Sequence, residues 1–126
     1  MAQILLIDDD PAVRDYLKDI LAAEGHAVDL ASDGRQGLGI LENKRYDLVI
    51  VDRHMPKMSG LELVVAARRN PALKDVKIMM CTSAGTLTEI DEAFQAGATD
   101  YLVKPIETAR LLQKVARHLA PPPPRP

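Results

Sequence analysis

The sequence holds a single cysteine, Cys81, which excludes an internal disulfide and fits a reducing compartment. Cys81 falls in an apolar run and is expected to be a small buried core residue. Net charge is also nearly absent. The 16 lysines and arginines stand against 18 aspartates and glutamates, a formal charge of -2, so no overall field draws the chain to nucleic acid or to an anionic membrane. No apolar run approaches the roughly 20 residues that cross a bilayer, and the N-terminus carries no signal-peptide pattern. A soluble, cytoplasmic protein is expected. What is present is enough apolar material for one domain: at 126 residues and 47% hydrophobic, the chain can bury a continuous core.

Four short apolar runs each end on a residue that can do chemistry. The first, Gln3 to Ile7, is closed by Asp8, Asp9 and Asp10. Tyr46 to Val51 ends on Asp52, Val76 to Cys81 on Thr82, and Tyr101 to Val103 on Lys104. A fifth strand is expected at His26 to Leu30. Between them lie helical patterns. Asp10 before Pro11 is a favourable helix start, and Val13, Leu17, Ile20 and Leu21 share one face before Gly25. A weaker helix is expected over Gly34 to Asn43. Ser59-Gly60-Leu61-Glu62 and Thr86-Leu87-Thr88-Glu89 both have the form of a capping box. Asn70-Pro71 ends the helix opened by the first box, and Gly97 caps the helix opened by the second. Leu111, Leu112, Val115 and Leu119 define a last amphipathic helix.

Strands alternating with helices demand right-handed crossovers and a parallel sheet covered on both faces. The expected architecture is α/β, a flavodoxin-like five-stranded parallel sheet in the order 2-1-3-4-5. It occupies residues 1–119, and residues 120–126 form a proline-rich tail or the start of a linker. That order sets strands 1, 3, 4 and 5 side by side at about 4.8 Å. The acidic triplet, Asp52, Thr82 and Lys104 then follow one another along one edge of the sheet, and the switch point between strands 1 and 3 is the expected crevice.

Several carboxylates brought that close call for a cation or a proton between them. Magnesium suits such a set, because it prefers oxygen ligands and also takes a substrate phosphate oxygen. Asp52 could serve as a carboxylate nucleophile, with Thr82 donating to one phosphoryl oxygen and Lys104 pairing with another. Phosphoryl transfer needs little beyond alignment and charge neutralisation.

Four segments, Leu5 to Pro11, Asp52 to Gly60, Cys81 to Ala84 and Asp100 to Pro105, resemble in order and spacing the receiver domains of two-component response regulators, the CheY-like family. The resemblance runs from about Ala2 to Leu119. It implies that Asp52 accepts a phosphoryl group from a histidine kinase or a histidine phosphotransfer protein. It implies that Asp9 binds Mg2+ (or Mn2+) directly, that Asp8 holds metal-bound water, that Asp52 and the His54 backbone carbonyl complete the metal site, and that Asp10 caps the helix beside them. Lys104 would bind the phosphoryl group and precede a cis proline, and Thr82 and Tyr101 would form a switch pair acting on the surface of the fourth helix, fifth strand and fifth helix. His54 and Ala84 are expected to tune hydrolysis by controlling access of water. His26 and His118 are expected at the surface, and Asp100, Arg110, Lys114 and Arg117 on a solvated helix face.

Other readings remain at this stage. A phosphatase resembling the haloacid dehalogenase superfamily would use Asp8 as nucleophile, but Ala12 departs from that family's pattern and no late acidic pair closes its metal site. A flavodoxin-type flavin carrier shares the fold, but its first loop must cradle phosphate, and here that loop is acidic. A degenerate receiver would act as a binding module without phosphate. The chain is expected not to be an enzyme beyond its own phosphorylation and dephosphorylation, to be a monomer or a weak phosphorylation-dependent dimer, and to bind neither nucleic acid nor membrane. With no recognisable output segment, the expectation is a single-domain regulator acting on a downstream protein, with an output domain outside this sequence as the alternative.

Overall fold

The computed structural model describes residues 2–119, so the tail at 120–126 lies outside the described residues. The elements alternate strictly: β1 Gln3–Ile7, α1 Pro11–Ala23, β2 Ala27–Ala31, α2 Gly34–Asn43, β3 Leu48–Asp52, α3 Gly60–Arg69, β4 Ile78–Thr82, α4 Leu87–Ala96, β5 Asp100–Val103 and α5 Thr108–Leu119. All neighbouring strands are parallel, in the order β2-β1-β3-β4-β5, the flavodoxin-like arrangement expected.

Because side chains alternate along a strand, each central strand feeds two cores. Leu5, Ile7, Val49, Val51, Ile78 and Met80 pack with Leu41 of α2, Leu63 and Val64 of α3 and Ala93 of α4. The intervening residues Ile4, Leu6, Leu48, Ile50, Met79 and Cys81 pack on the other side with Leu17 and Leu21 of α1 and Leu111 and Val115 of α5. β3 and β4 are buried along their whole length, which is why they read as unbroken apolar runs.

Three strands start later than the hydrophobic pattern suggested. His26 N–H bonds back to Leu21 and closes α1, so the β2 ladder opens with Ala27 N–H donating to Ala2. Tyr46 turns its hydroxyl to Asp29, while the Asp47 carboxylate accepts from Gln3 N–H at 2.7 Å; β3 begins at Leu48. Val76 N–H closes a turn onto Leu73, and β4 begins at Ile78.

The helix starts follow their caps, with one exception. Asp10 accepts from Ala12 N–H at 2.9 Å, Asp33 from Gln36 N–H at 2.8 Å, and Ser59 and Glu62 complete a reciprocal capping box. The second expected box is half made. Thr86 Oγ1 accepts from Glu89 N–H at 3.2 Å, but the Glu89 carboxylate turns to Thr82 instead of returning to the Thr86 amide. Gly97 closes α4 with φ of 114°, a conformation glycine adopts without a Cβ penalty.

Candidate functional site

The ends of β1, β3 and β5 build the acidic edge. Asp8 extends the β1 ladder by donating its N–H to Ala31 at 3.1 Å, and Arg14 of α1 donates to the Asp8 carbonyl at 2.7 Å. Its carboxylate is thereby fixed at the sheet edge, where Oδ1 accepts from Asp10 N–H at 2.9 Å. Asp52 is the last residue of β3, and Gly60 presses against it: a Cβ at Gly60 would lie 2.4 Å from the Asp52 carbonyl oxygen. Lys104 follows β5, with its N–H bonded to the Thr82 carbonyl at 2.8 Å. The Lys104-Pro105 bond is cis, as the resemblance implied.

These placements put the Lys104 ammonium 3.3 Å from Asp8 Oδ2 and 3.2 Å from Asp52 Oδ1. Asp8 and Asp52 are 5% and 7% exposed, while Asp9 is open to solvent. One oxygen from each of Asp8, Asp9 and Asp52 lies within 4.8 Å of the others. Three carboxylates face one ammonium, so the cluster carries an excess of negative charge. Burial, and then the Asp8 charge, push the Asp52 carboxyl above its ordinary value, against the pull of Lys104 and of the His54 backbone N–H. Burial would lower Lys104, but the two carboxylates outweigh it and raise its pKa. An all-oxygen donor set with unbalanced negative charge fits a hard divalent cation such as magnesium.

Thr82 is 3% exposed and ends β4, one position past the Asp52–Cys81 pairing. Its hydroxyl is engaged toward α4, with Glu89 Oε2 at 2.7 Å and the Ala84 carbonyl at 3.1 Å, and accepts from Ala84 N–H at 3.2 Å. Tyr101 is half-buried; its ring meets Phe94 edge-on at 6.0 Å, and Lys114 Nζ lies over it at 4.1 Å.

The chain matches the family described as the response regulator receiver domain over residues 4–116. It belongs to that family. The receiver is similar to chemotaxis response regulator CheY4 of Vibrio cholerae, with 35% identity, a TM-score of 0.90 and 94% of this chain and 99% of that one covered. The receiver domain of sensor histidine kinase PA1611 from Pseudomonas aeruginosa, solved with magnesium coordinated in its active site cleft, aligns with a TM-score of 0.87 and 29% identity over 94% of this chain and 97% of that one. Response regulator MprA of Mycolicibacterium vanbaalenii is 37% identical over 113 residues, 90% of this chain and 48% of the relative. The chain thus spans about half the length of such curated relatives. The family match does not favour the phosphatase reading with Asp8 as nucleophile.

Within the receiver, two groups differ from the sequence-based expectation. His118 is not a surface residue: its Nε2 lies 2.7 Å from Asp100 Oδ2, with the side chain only 12% exposed. Asp100 and Lys114 are likewise buried against each other at 3.0 Å and do not form a solvated face. The sequence pattern points to no role for Arg53 and to a capping role alone for Glu89. The long side chain of Arg53 crosses to α4, where it donates to the Glu89 carbonyl at 3.0 Å and to Glu92 at 3.2 Å, a contact that no spacing rule anticipates. Cys81 is buried and its thiol is pushed up to about 12, in keeping with a core role. No helix among the described residues is long and apolar enough to cross a membrane.

Proposed function

We propose that Asp52 is the phosphoacceptor of this receiver and that the acidic edge works with Mg2+ (or Mn2+). The observation that carries the reading is the convergence of Asp8, Asp9 and Asp52 with the Lys104 ammonium bridging Asp8 and Asp52. Asp8, Asp9, Asp52 and the His54 backbone carbonyl would hold the ion, and the magnesium in the similar PA1611 receiver supports that assignment. When bound, the ion would neutralise charge between the carboxylates and a phosphoryl oxygen.

The chain's own groups supply the rest. An Asp52 carboxylate oxygen attacks the phosphorus of a phosphohistidine on a sensor kinase or phosphotransfer protein. The new O–P bond forms as the N–P bond breaks, and the histidine ring leaves with the bonding pair. Lys104, already beside Asp52, pairs with a phosphoryl oxygen, and Thr82 offers its hydroxyl to another. His54 and Ala84 govern how water reaches the acyl phosphate, which sets its lifetime. Thr82 and Tyr101 transmit the change to the face formed by α4, β5 and α5. Moving that equilibrium from mostly inactive to mostly active requires about 5 kcal/mol of differential contact. The receiver catalyses only its own phosphorylation and dephosphorylation, and acts in the cytoplasm, as a monomer or weak phosphorylation-dependent dimer, on a downstream protein or an output domain.

Intact-mass measurement after incubation with acetyl phosphate or phosphoramidate tests this. Wild type gains one phosphoryl group only with magnesium, and Asp52→Asn gains none. A gain that survives in the variant would return the nucleophile to Asp8, and no gain under any condition would support a phosphate-independent receiver.

A further inference from the structure

Glu89 lies outside the acidic edge, and the phosphoacceptor reading gives it no task. It stands at the third position of α4, where a capping-box carboxylate would return to the Thr86 amide, yet its Oε2 lies 2.7 Å from Thr82 Oγ1. That length is typical of a charge-assisted O–H···O bond. A threonine hydroxyl has one hydrogen to give. The competing acceptor, the Ala84 carbonyl, is neutral and farther away at 3.1 Å, so the carboxylate takes the hydrogen. With Ala84 N–H donating to the same oxygen at 3.2 Å, the hydroxyl is engaged by Glu89 of α4 and by Ala84 of the loop before it.

Glu89 is itself held in place. Arg53, the residue after Asp52, has a side chain only 10% exposed and donates to the Glu89 main-chain carbonyl at 3.0 Å and to Glu92 Oε1 at 3.2 Å. Two residues flanking the phosphoryl position, Arg53 and Thr82, thus converge on one residue of α4.

We propose that Glu89 is a positioning residue that acts through Thr82, its carboxylate competing with a phosphoryl group on Asp52 for the single Thr82 hydroxyl hydrogen while Arg53 keeps α4 in register for that competition. The inference rests on Asp52 as phosphoacceptor. One hydrogen cannot serve both oxygens, so a phosphoryl oxygen must displace the Glu89 carboxylate from Thr82. By linkage, whatever the Glu89 bond adds to the unphosphorylated form is subtracted from phosphoryl retention by the same factor.

The test is the apparent Kd for beryllofluoride, a phosphoryl mimic, at saturating magnesium, followed by fluorine NMR on wild type, Glu89→Ala, Glu89→Gln, Thr82→Ala and the Thr82→Ala, Glu89→Ala double variant. Glu89→Ala binds about tenfold tighter than wild type, the factor expected for losing one charge-assisted competitor. Glu89→Gln, whose neutral carbonyl still accepts a hydrogen bond and which preserves the helix start, falls between the two. In the Thr82→Ala background, adding Glu89→Ala changes the Kd by less than about twofold. Unchanged binding in both Glu89 variants would overturn the proposal, as would an effect equally large without the Thr82 hydroxyl, which would show Glu89 acting only on the helix. Asp52→Asn is the control for the underlying reading: if wild type binds no beryllofluoride, or Asp52→Asn binds as well as wild type, the phosphoacceptor assignment fails first and this inference falls with it.

Discussion

Replacing Asp100 with Asn should destabilise the fold, and do so in a pH-dependent way. The Asp100 carboxylate accepts from Lys114 at 3.0 Å, from His118 at 2.7 Å and from Tyr101 N–H at 2.8 Å, and the Asp100, Lys114 and His118 side chains are at most 14% exposed. Removing one member of a buried pair costs about 3–5 kcal/mol. Lys114 keeps the Tyr101 carbonyl and ring face, and the new amide still accepts one bond, so about 2 kcal/mol is the expected loss at neutral pH. In urea unfolding that is a midpoint lowered by roughly 1 M at a typical slope. Burial by itself pushes the Asp100 carboxyl up, but the bonds from His118, Lys114 and Tyr101 N–H outweigh it and hold the group below its ordinary 3.8. A depressed carboxylate stabilises above its unfolded value and loses that contribution as pH falls through its folded value. Asp100's own contribution to the gap between wild type and Asp100→Asn is therefore present down to near pH 4 and is lost in stronger acid. A difference under about 0.5 kcal/mol at neutral pH, or one that fails to close in strong acid, would refute the account of this cluster.

Asp52→Asn, measured without magnesium, should be more stable than wild type at neutral pH, because burial and the Asp8 charge disfavour the ionised Asp52. With its folded pKa raised, wild type loses stability as pH climbs above the unfolded value, so the difference should vanish below about pH 3.9 in thermal unfolding. Gly60→Ala should lower stability by about 1–3 kcal/mol and slow phosphorylation by acetyl phosphate, since the added Cβ would lie 2.4 Å from the Asp52 carbonyl oxygen; normal stability and rate would show that the loop relaxes freely. Cys81, buried with its thiol pushed up to about 12, should react with a thiol reagent at neutral pH only as fast as the protein unfolds, and rapid labelling of the native state would contradict its core assignment.

The sequence alone determined the order of elements, the parallel sheet and the acidic edge. Its information is local and periodic: unbroken apolar runs for β3 and β4, Asp10 and Ser59 at helix starts, and polar residues at the C-terminal end of each run. Once strands are parallel and adjacent in that order, their ends must meet, so the sequence pattern by itself brings Asp8, Asp52, Thr82 and Lys104 to one edge. The strand starts were less legible, because Tyr46 and Val76 fit the apolar pattern and Asp47 stands inside the run, yet all three are claimed by side-chain and turn hydrogen bonds. What only the tertiary structure decided are the partners of long polar side chains. Glu89 fits a capping box by spacing, yet its carboxylate goes to Thr82; Arg53 spans to α4; and Asp100, Lys114 and His118 leave the solvent for one another. A charged side chain with several rotatable bonds can reach any of several partners within its radius, and the partner it takes depends on which other group has lost its water in the packed fold.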